Sequence, residues 1–263
     1  MELLEHELWI VQAVNAALGP AVASMLRALG RPVADSAKVI PSHVIMAGLI
    51  VVGWTILCLV VRRRLSVAQP GRVQILIEDG LRAAQGMMHE YIGPKAPRYL
   101  AIVVTIFVFV LTGNLMGLVP GLMSPTSNIN VTLGCALTVA IYYHIQGAKE
   151  HGIGRYLKHF AVPPGMPVFI APVMLPIEII GHLSRVLSLT IRLFGNIFGE
   201  DLVILILFSI IPFLVPLPMM FFALVTAALQ AFVFSLLTTI YLSGAVATEH
   251  EEHEHGEMVV GEV

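Results

Sequence analysis

Long apolar stretches recur along the chain, and short polar segments separate them. A helix of about 20 apolar residues crosses the hydrocarbon core of a bilayer. Five stretches meet that length, at about residues 43–61, 99–118, 129–147, 173–211 and 219–243. The uncharged link between the second and third stretches is rich in residues that favour turns, so these two form an antiparallel hairpin. The pattern predicts an all-α integral membrane protein with about five membrane-embedded helices.

Two further segments are amphipathic. Between residues 72 and 92, apolar residues recur at helical spacing, which predicts a helix lying in the membrane interface. The charged residues that fall between the apolar ones are Glu78, Asp79, Arg82 and Glu90. Residues 4–29 predict a second surface helix, broken at Gly19–Pro20, inside an N-terminal interfacial segment that covers residues 1–42. Residues 249–263 form an acidic, histidine-containing tail.

The stretch 173–211 is the most informative part of the chain. At about 1.5 Å per residue, a single helix of this length extends roughly 58 Å, about twice the hydrocarbon core. We therefore expect it, and the return helix 219–243, to be long and strongly tilted. The first of these helices also carries a narrow polar stripe, because at 100° per residue seven polar residues fall on one side. They are Glu178, His182, Arg185, Ser188, Arg192, Asn196 and Glu200. Hydrocarbon excludes such residues, so the stripe faces a polar partner or water.

Composition and charge support this interpretation. The chain is 57% hydrophobic and 12% charged, with a mean hydropathy of +0.86, which excludes a soluble domain. There is no basic face for nucleic acid, and Cys58 and Cys135 lie inside predicted spans as free thiols. Ten of the fifteen Lys and Arg residues lie in 62–98 and 149–158. Such segments stay in the cytoplasm, which predicts the N-terminus outside and the C-terminus in the cytoplasm.

Three separated motifs resemble one family. The first is SLTIRLFGN, Ser188–Asn196, with Glu178 fourteen residues before Arg192 and Asp201 nine residues after it. The second is LQAFVFSLLTTIYLSGA, Leu229–Ala245, and the third is NLMGLVPG, Asn114–Gly121, followed by TSNINVT. Together they resemble the a subunit of F-type ATP synthases, in the family's order, over roughly residues 70–248.

The resemblance implies a function in proton transport. In that family, protons pass through two offset half-channels at the interface with the ring of c subunits, and the proton gradient drives rotation and ATP synthesis. The subunit itself performs no covalent step and holds no cofactor or metal. The implied partners are the c-ring, the peripheral stalk b subunits beside the helix 72–92, membrane lipid and the transported protons. The implied location is the bacterial inner membrane.

The resemblance also assigns roles to single residues. Arg192 interacts with the c-ring carboxylate and blocks direct leakage of protons between the half-channels. The alternative is that Arg192 forms a structural ion pair with a carboxylate of this same chain. Glu178 serves the cytoplasmic half-channel. Asp201 serves the outer half-channel by family register, although Glu200 shares the stripe of Arg192 better. Gln230 lies beside Arg192.

Further polar residues on the long helix belong to the same path. They are His182, Arg185, Ser188 and Asn196. One departure from the family concerns the return helix, where many relatives place a second ionisable group about two turns before the glutamine. This chain has Ala223 there. We expect the doubled acidic pair Glu200–Asp201 to substitute for that group.

Other functions remain open on sequence alone. A self-contained ion channel or transporter would also carry polar residues in a membrane helix, although no internal repeat typical of transporters is visible. An intramembrane hydrolase or metalloprotease would need a nucleophile with a base, or a fuller ligand set, than the stripe offers. Glu178 and His182, four residues apart, are either two metal ligands or a hydrogen-bonded pair. The histidines of the tail, His250, His253 and His255, are either metal ligands or part of a solvated disordered segment. Sodium is the alternative to protons as the transported ion.

Overall fold

The structure, a computed structural model, describes residues 9–30, 39–66, 70–119, 122–152, 154, 156, 171–210 and 216–246. All regular structure in these residues is helical. The α-helices with described bounds are, in order, α1 (Trp9–Ala28), α2 (Ser42–Arg64), α3 (Arg72–Ile92), α4 (Leu100–Met116), α5 (Ile129–His151), α6 (Ala171–Ile210) and α7 (Pro216–Val246). Two 3-10 helices, Gly93–Arg98 and Pro125–Ser127, lie beside α4. The predicted all-α fold is confirmed.

The helix bounds follow the apolar pattern, with two corrections at prolines. Helix α1 continues through Gly19–Pro20, where the sequence predicted a break. A proline inside a helix removes one backbone donor, and here the remaining bonds carry the helix past it. Helix α7 begins at Pro216, earlier than the predicted residue 219, because the first turn of a helix has no intrahelical partner for the missing N–H. The acidic tail, residues 249–263, lies outside the described residues.

Several helices have the length and composition of membrane spans. Among the described residues, α1, α2, α6 and α7 are long and apolar enough to cross a bilayer. A fifth candidate span is a pair of helices bent by 114° relative to each other. It consists of α3, extended by the 3-10 helix to Arg98, and α4. Helix α5 is less apolar than these, because its C-terminal half carries the polar residues Tyr142, Tyr143, His144, Gln146, Lys149 and Glu150. The chain is an integral membrane protein, while the surface position of α1 stays a prediction.

The chain divides into two compact units. The first contains Met1–Leu65, Phe109–Val131 and Leu193–Gln230, and the second contains Ser66–Val108, Thr132–Arg192 and Ala231–Val263. Helices α6 and α7 each contribute one part to each unit. The polar stripe predicted on α6 is therefore divided between the units, and each part has its own surroundings.

A polar network folds the loop after α4 back onto that helix in the first unit. Thr126 is fully buried and its hydroxyl donates to Oδ1 of Asn114 at 2.7 Å. Ser124 donates to the carbonyl oxygen of Gly113 at 2.9 Å. A Cβ atom at Gly113 would lie only 3.2 Å from the Thr126 methyl group, so the absence of a side chain there lets the loop approach. Buried polar groups of this kind require partners, and this loop supplies them from within the unit.

In the second unit, one carboxylate holds the corner between α3 and α4. Glu150, near the end of α5, accepts a hydrogen bond from Nη1 of Arg98 at 2.6 Å and another from the Tyr99 hydroxyl at 3.1 Å. Nζ of Lys95 lies 3.6 Å from its other oxygen. Gly93, at a φ of 72°, makes the left-handed turn that ends α3. Arg98, Tyr99 and Lys95 thus all contact the carboxylate of Glu150 at the point where the chain changes direction.

We predict that Gly147→Ala disturbs the second unit. A Cβ atom there would lie 2.6 Å from Cε2 of Tyr156 and 2.9 Å from the backbone oxygen of Ala245 on α7. Overpacking of this kind costs about 1–3 kcal/mol, so the free energy of unfolding should fall and less subunit should accumulate in membranes. Thermal unfolding of the detergent-solubilised protein measures the change.

Gly134→Ala on the same helix is the matched control. A Cβ atom at Gly134 meets nothing within 4 Å, and alanine favours a helix by about 1 kcal/mol over glycine. We expect this variant to be as stable as the parent or more so. Equal stability of the two variants would contradict the packing argument.

Candidate functional site

The second unit contains a hydrogen-bonded cluster around His182. Its Nε2 atom lies 3.1 Å from Oε1 of Glu178, one turn earlier on α6. Its Nδ1 atom lies 2.8 Å from the hydroxyl oxygen of Tyr143 on α5. The exposed fraction of the side chain is 42% for Glu178 and 15% for His182, whereas Tyr143 is fully buried. The cluster therefore runs from a half-exposed carboxylate inward to a buried hydroxyl.

A second imidazole stands beside the first. Nδ1 of His144 lies 2.9 Å from the hydroxyl oxygen of Tyr156, and the ring centroids of His144 and His182 are 4.7 Å apart. Gly147, one turn after His144, leaves the space into which the Tyr156 ring packs. The polar pattern of α6 does not single out Tyr143, Tyr156 or His144, because they lie on segments far from α6 in the chain. A histidine inside a predicted span was the one signal that could have drawn attention to them.

Arg185 and Arg192 have different surroundings on α6. The guanidinium carbon of Arg185 lies 5.4 Å from the centroid of the Tyr241 ring, a cation–π distance. Arg192 is exposed and has no ion pair within the described part of the chain. Ser188 and Ser184, four and eight residues before it, are exposed as well. The charge of Arg192 is therefore presented outward on a face with small side chains.

The first unit contains the amide pair Asn196 and Gln230. Nδ2 of Asn196 donates to Oε1 of Gln230 at 2.9 Å, which joins α6 to α7. Gln230 is 5% exposed, and its buried Nε2 atom has no hydrogen-bond partner among the residues that the structure describes. Buried amides without a partner are uncommon, and such a group is often satisfied by a molecule outside the chain.

The two adjacent carboxylates face different neighbours in the first unit. Glu200 accepts a hydrogen bond from the Thr226 hydroxyl on α7. Asp201 lies beside the Ser127 hydroxyl, and its Oδ1 atom is 3.5 Å from the position of a Cβ atom at Gly117. Successive residues on a helix point about 100° apart, which explains the separation. Ala223 on α7 stands where many relatives have an ionisable group, and Thr226, one turn further along, carries a hydroxyl that the sequence pattern did not single out.

Metal ligands are not grouped in the described residues. No set of three or more His, Cys, Asp or Glu side chains there could hold a metal ion. Glu178 and His182 hydrogen-bond to each other, which is the second of the two arrangements considered for this pair. The tail histidines His250, His253 and His255 lie outside the described residues.

Comparison with known proteins places the chain in a family. Residues 42–243 match the family described as ATP synthase A chain. The chain is 43% identical over 208 residues to ATP synthase subunit a 1 of Syntrophotalea carbinolica, covering 79% of this chain and 87% of that protein. It is 43% identical over 212 residues to ATP synthase subunit a of Citrifermentans bemidjiense, covering 81% and 88%. ATP synthase subunit a 1 of Pelobacter propionicus is 48% identical over 181 residues, covering 69% and 77%.

The family match extends from the start of α2 almost to the end of α7, so it includes every residue of the two polar clusters. The relatives span most of the same length and are themselves bacterial. The chain therefore belongs to the ATP synthase A chain family, as the three sequence motifs predicted.

Proposed function

We propose that this chain is the proton-conducting stator subunit of an F-type ATP synthase and works against a ring of c subunits. The observation that carries the proposal is Arg192, a permanent charge that is exposed on a membrane helix and has no ion pair within the described residues. A charge in that position costs free energy unless a partner outside the chain meets it. In a family of ATP synthase subunits, the expected partner is the carboxylate on the c-ring.

The chemistry of Arg192 suits this role. Its guanidinium keeps its charge at any accessible pH, so it cannot carry a proton itself. It stabilises the ionised form of a carboxylate that is brought beside it, and that carboxylate then releases its proton. Ser184 and Ser188 beside it are small, which permits the close helix approach that membrane interfaces use. The same charge repels a free proton and so prevents leakage between the two paths.

Each unit then supplies one half-channel. In the second unit, Glu178 and His182, with Arg185 on the same helix, form the path to the cytoplasm. In the first unit, Glu200 and Asp201, with Asn196 and Gln230, form the path to the outside. Each proton crossing 100 mV delivers about 2.3 kcal/mol, so several protons are needed per ATP.

The remaining surfaces suit the other proposed partners. The amphipathic helix α3 exposes Val73 and Leu76, with exposed fractions of 61% and 74%. This face fits the membrane interface and the peripheral stalk b subunits. The excess of Lys and Arg in segments 62–98 and 149–158 supports a cytoplasmic position for these segments in a bacterial inner membrane, with the N-terminus outside and the C-terminus inside.

We predict that Arg192→Ala and Arg192→Lys both abolish ATP-driven proton pumping. Lysine keeps a positive charge but lacks the planar fork that pairs with a carboxylate, so charge alone should not suffice. Pumping is measured in inverted vesicles that carry the assembled complex, together with the passive proton leak. We expect the alanine variant to leak, because nothing then separates the two half-channels. Normal pumping by either variant would overturn the proposal and favour a channel or transporter.

We predict that Glu200 and Asp201 act together in the outer half-channel. Glu200→Gln and Asp201→Asn should each lower the pumping rate about tenfold, and the double variant should abolish pumping, because general acid–base groups contribute at least this much. Thr226→Val should act through Glu200, and should therefore add no further loss to the Glu200→Gln variant. Unchanged proton flux in the double variant would show that the pair does not replace the missing ionisable group on α7.

A further inference from the structure

Three side chains from two helices form a continuous hydrogen-bonded chain in the second unit. Glu178 and His182 come from α6, and Tyr143 comes from α5, 39 residues before His182. The contact distances are 3.1 Å between Glu178 Oε1 and His182 Nε2, and 2.8 Å between His182 Nδ1 and the Tyr143 hydroxyl oxygen. Glu178 and His182 meet through their four-residue spacing on α6, whereas Tyr143 reaches His182 only because α5 packs on α6.

The proton positions in this chain follow from the chemistry of its members. An ionised carboxylate can only accept a hydrogen bond, so His182 donates from Nε2 to Glu178. A neutral imidazole has one donor and one acceptor, so Nδ1 then accepts from the Tyr143 hydroxyl. When Glu178 takes up a proton on Oε1, the oxygen that faces His182, it becomes a donor there, and the imidazole reverses its donor and acceptor atoms. A hydroxyl both donates and accepts, so Tyr143 can satisfy Nδ1 in either arrangement.

Other groups around His182 make a long-lived imidazolium unfavourable. Arg185, with its charge over the Tyr241 ring, lies three residues further along α6. His144, bonded to Tyr156, lies with its ring centroid 4.7 Å from that of His182. The charge of Arg185 disfavours a second positive charge on His182, whereas ionised Glu178 carries the opposite charge and is bonded to the ring. His182 is therefore suited to passing a proton rather than to holding one.

We propose that Tyr143 is a positioning residue for proton uptake and release at Glu178, and this inference rests on the proposed function. Glu178 binds a proton from the water at the cytoplasmic side and later releases it. As Glu178 gains the proton, the N–H bond at Nε2 of His182 breaks and one at Nδ1 forms, so the imidazole stays neutral, and release of the proton reverses both changes. Tyr143 keeps Nδ1 of His182 hydrogen-bonded in both states, so the change leaves no buried nitrogen without a partner.

The test uses the variant Tyr143→Phe in inverted vesicles that carry the whole complex. The rate of ATP-driven proton pumping is measured for the variant and for the parent over a range of medium pH. The medium is the cytoplasmic side in this preparation, so it supplies the protons that Glu178 captures. Loss of one hydrogen bond should lower the pumping rate about three- to tenfold. Because capture then limits the rate, the ratio of variant to parent should fall further as the medium pH rises. The aromatic ring remains, so its stacking on His182, 5.7 Å between centroids, is retained.

Two further variants separate positioning from a structural effect. His182→Ala should lower pumping at least as much as Tyr143→Phe, and the double variant should match His182→Ala, because Tyr143 acts through His182. Tyr142→Phe, the neighbouring tyrosine, should pump like the parent at every pH. The amount of assembled complex is measured in each membrane.

The outcomes that overturn the inference are distinct from those that overturn the proposed function. A merely structural role would be shown in either of two ways. The pumping rate of Tyr143→Phe relative to the parent would not change with pH, or the double variant would lose more activity than His182→Ala alone. Normal pumping by Tyr143→Phe or by His182→Ala would exclude the positioning role. If Arg192→Ala still abolishes pumping in the same membranes, only this inference fails. If Arg192→Ala pumps normally, the proposed function itself fails.

Discussion

Polar groups inside a membrane have no water to bond, so each must find a partner in the protein or in a neighbouring subunit. This constraint explains the pairs along α6. Glu178 bonds to His182, Asn196 bonds to Gln230, and Glu200 accepts from Thr226. Arg192 is the exposed charged residue of the stripe, and neither an ion pair for it nor a partner for the buried Nε2 atom of Gln230 lies within the described part of the chain. The proposed function gives Arg192 its partner on the c-ring.

The local pattern of apolar residues was sufficient to predict much of the fold. Helix α3 has the predicted bounds, and the observed α6 begins within two residues of the predicted one. These predictions succeeded because helical periodicity and membrane length are properties of contiguous sequence. Pro20 shows the limit of such reasoning, since a proline usually ends a helix, and only the packing of the whole element determines whether it does so.

The candidate site was predictable on α6 and much less so beyond it. A polar residue in an apolar run is visible in sequence, and this singled out Glu178, His182 and Arg192. Their neighbours are not visible, because Tyr143 reads as an ordinary aromatic residue of a buried helix. Its hydroxyl meets His182 only once α5 packs on α6. Family register favoured Asp201 over Glu200, and helix geometry favoured Glu200, while the structure gives each carboxylate a neighbour of its own.

The corner at Glu150 has a mechanical consequence. For the stator role proposed above, this corner must resist torque, and a single ion pair would still allow rotation because it constrains only one distance. Arg98, Tyr99 and Lys95 approach the same carboxylate from three positions on a short segment. Three contacts to one carboxylate restrict the orientation of the segment as well as its distance from α5, so the corner is rigid. A force applied to α3 by a neighbouring subunit would be transmitted through the contacts of Glu150 to α5. It would not bend the chain between α3 and α4.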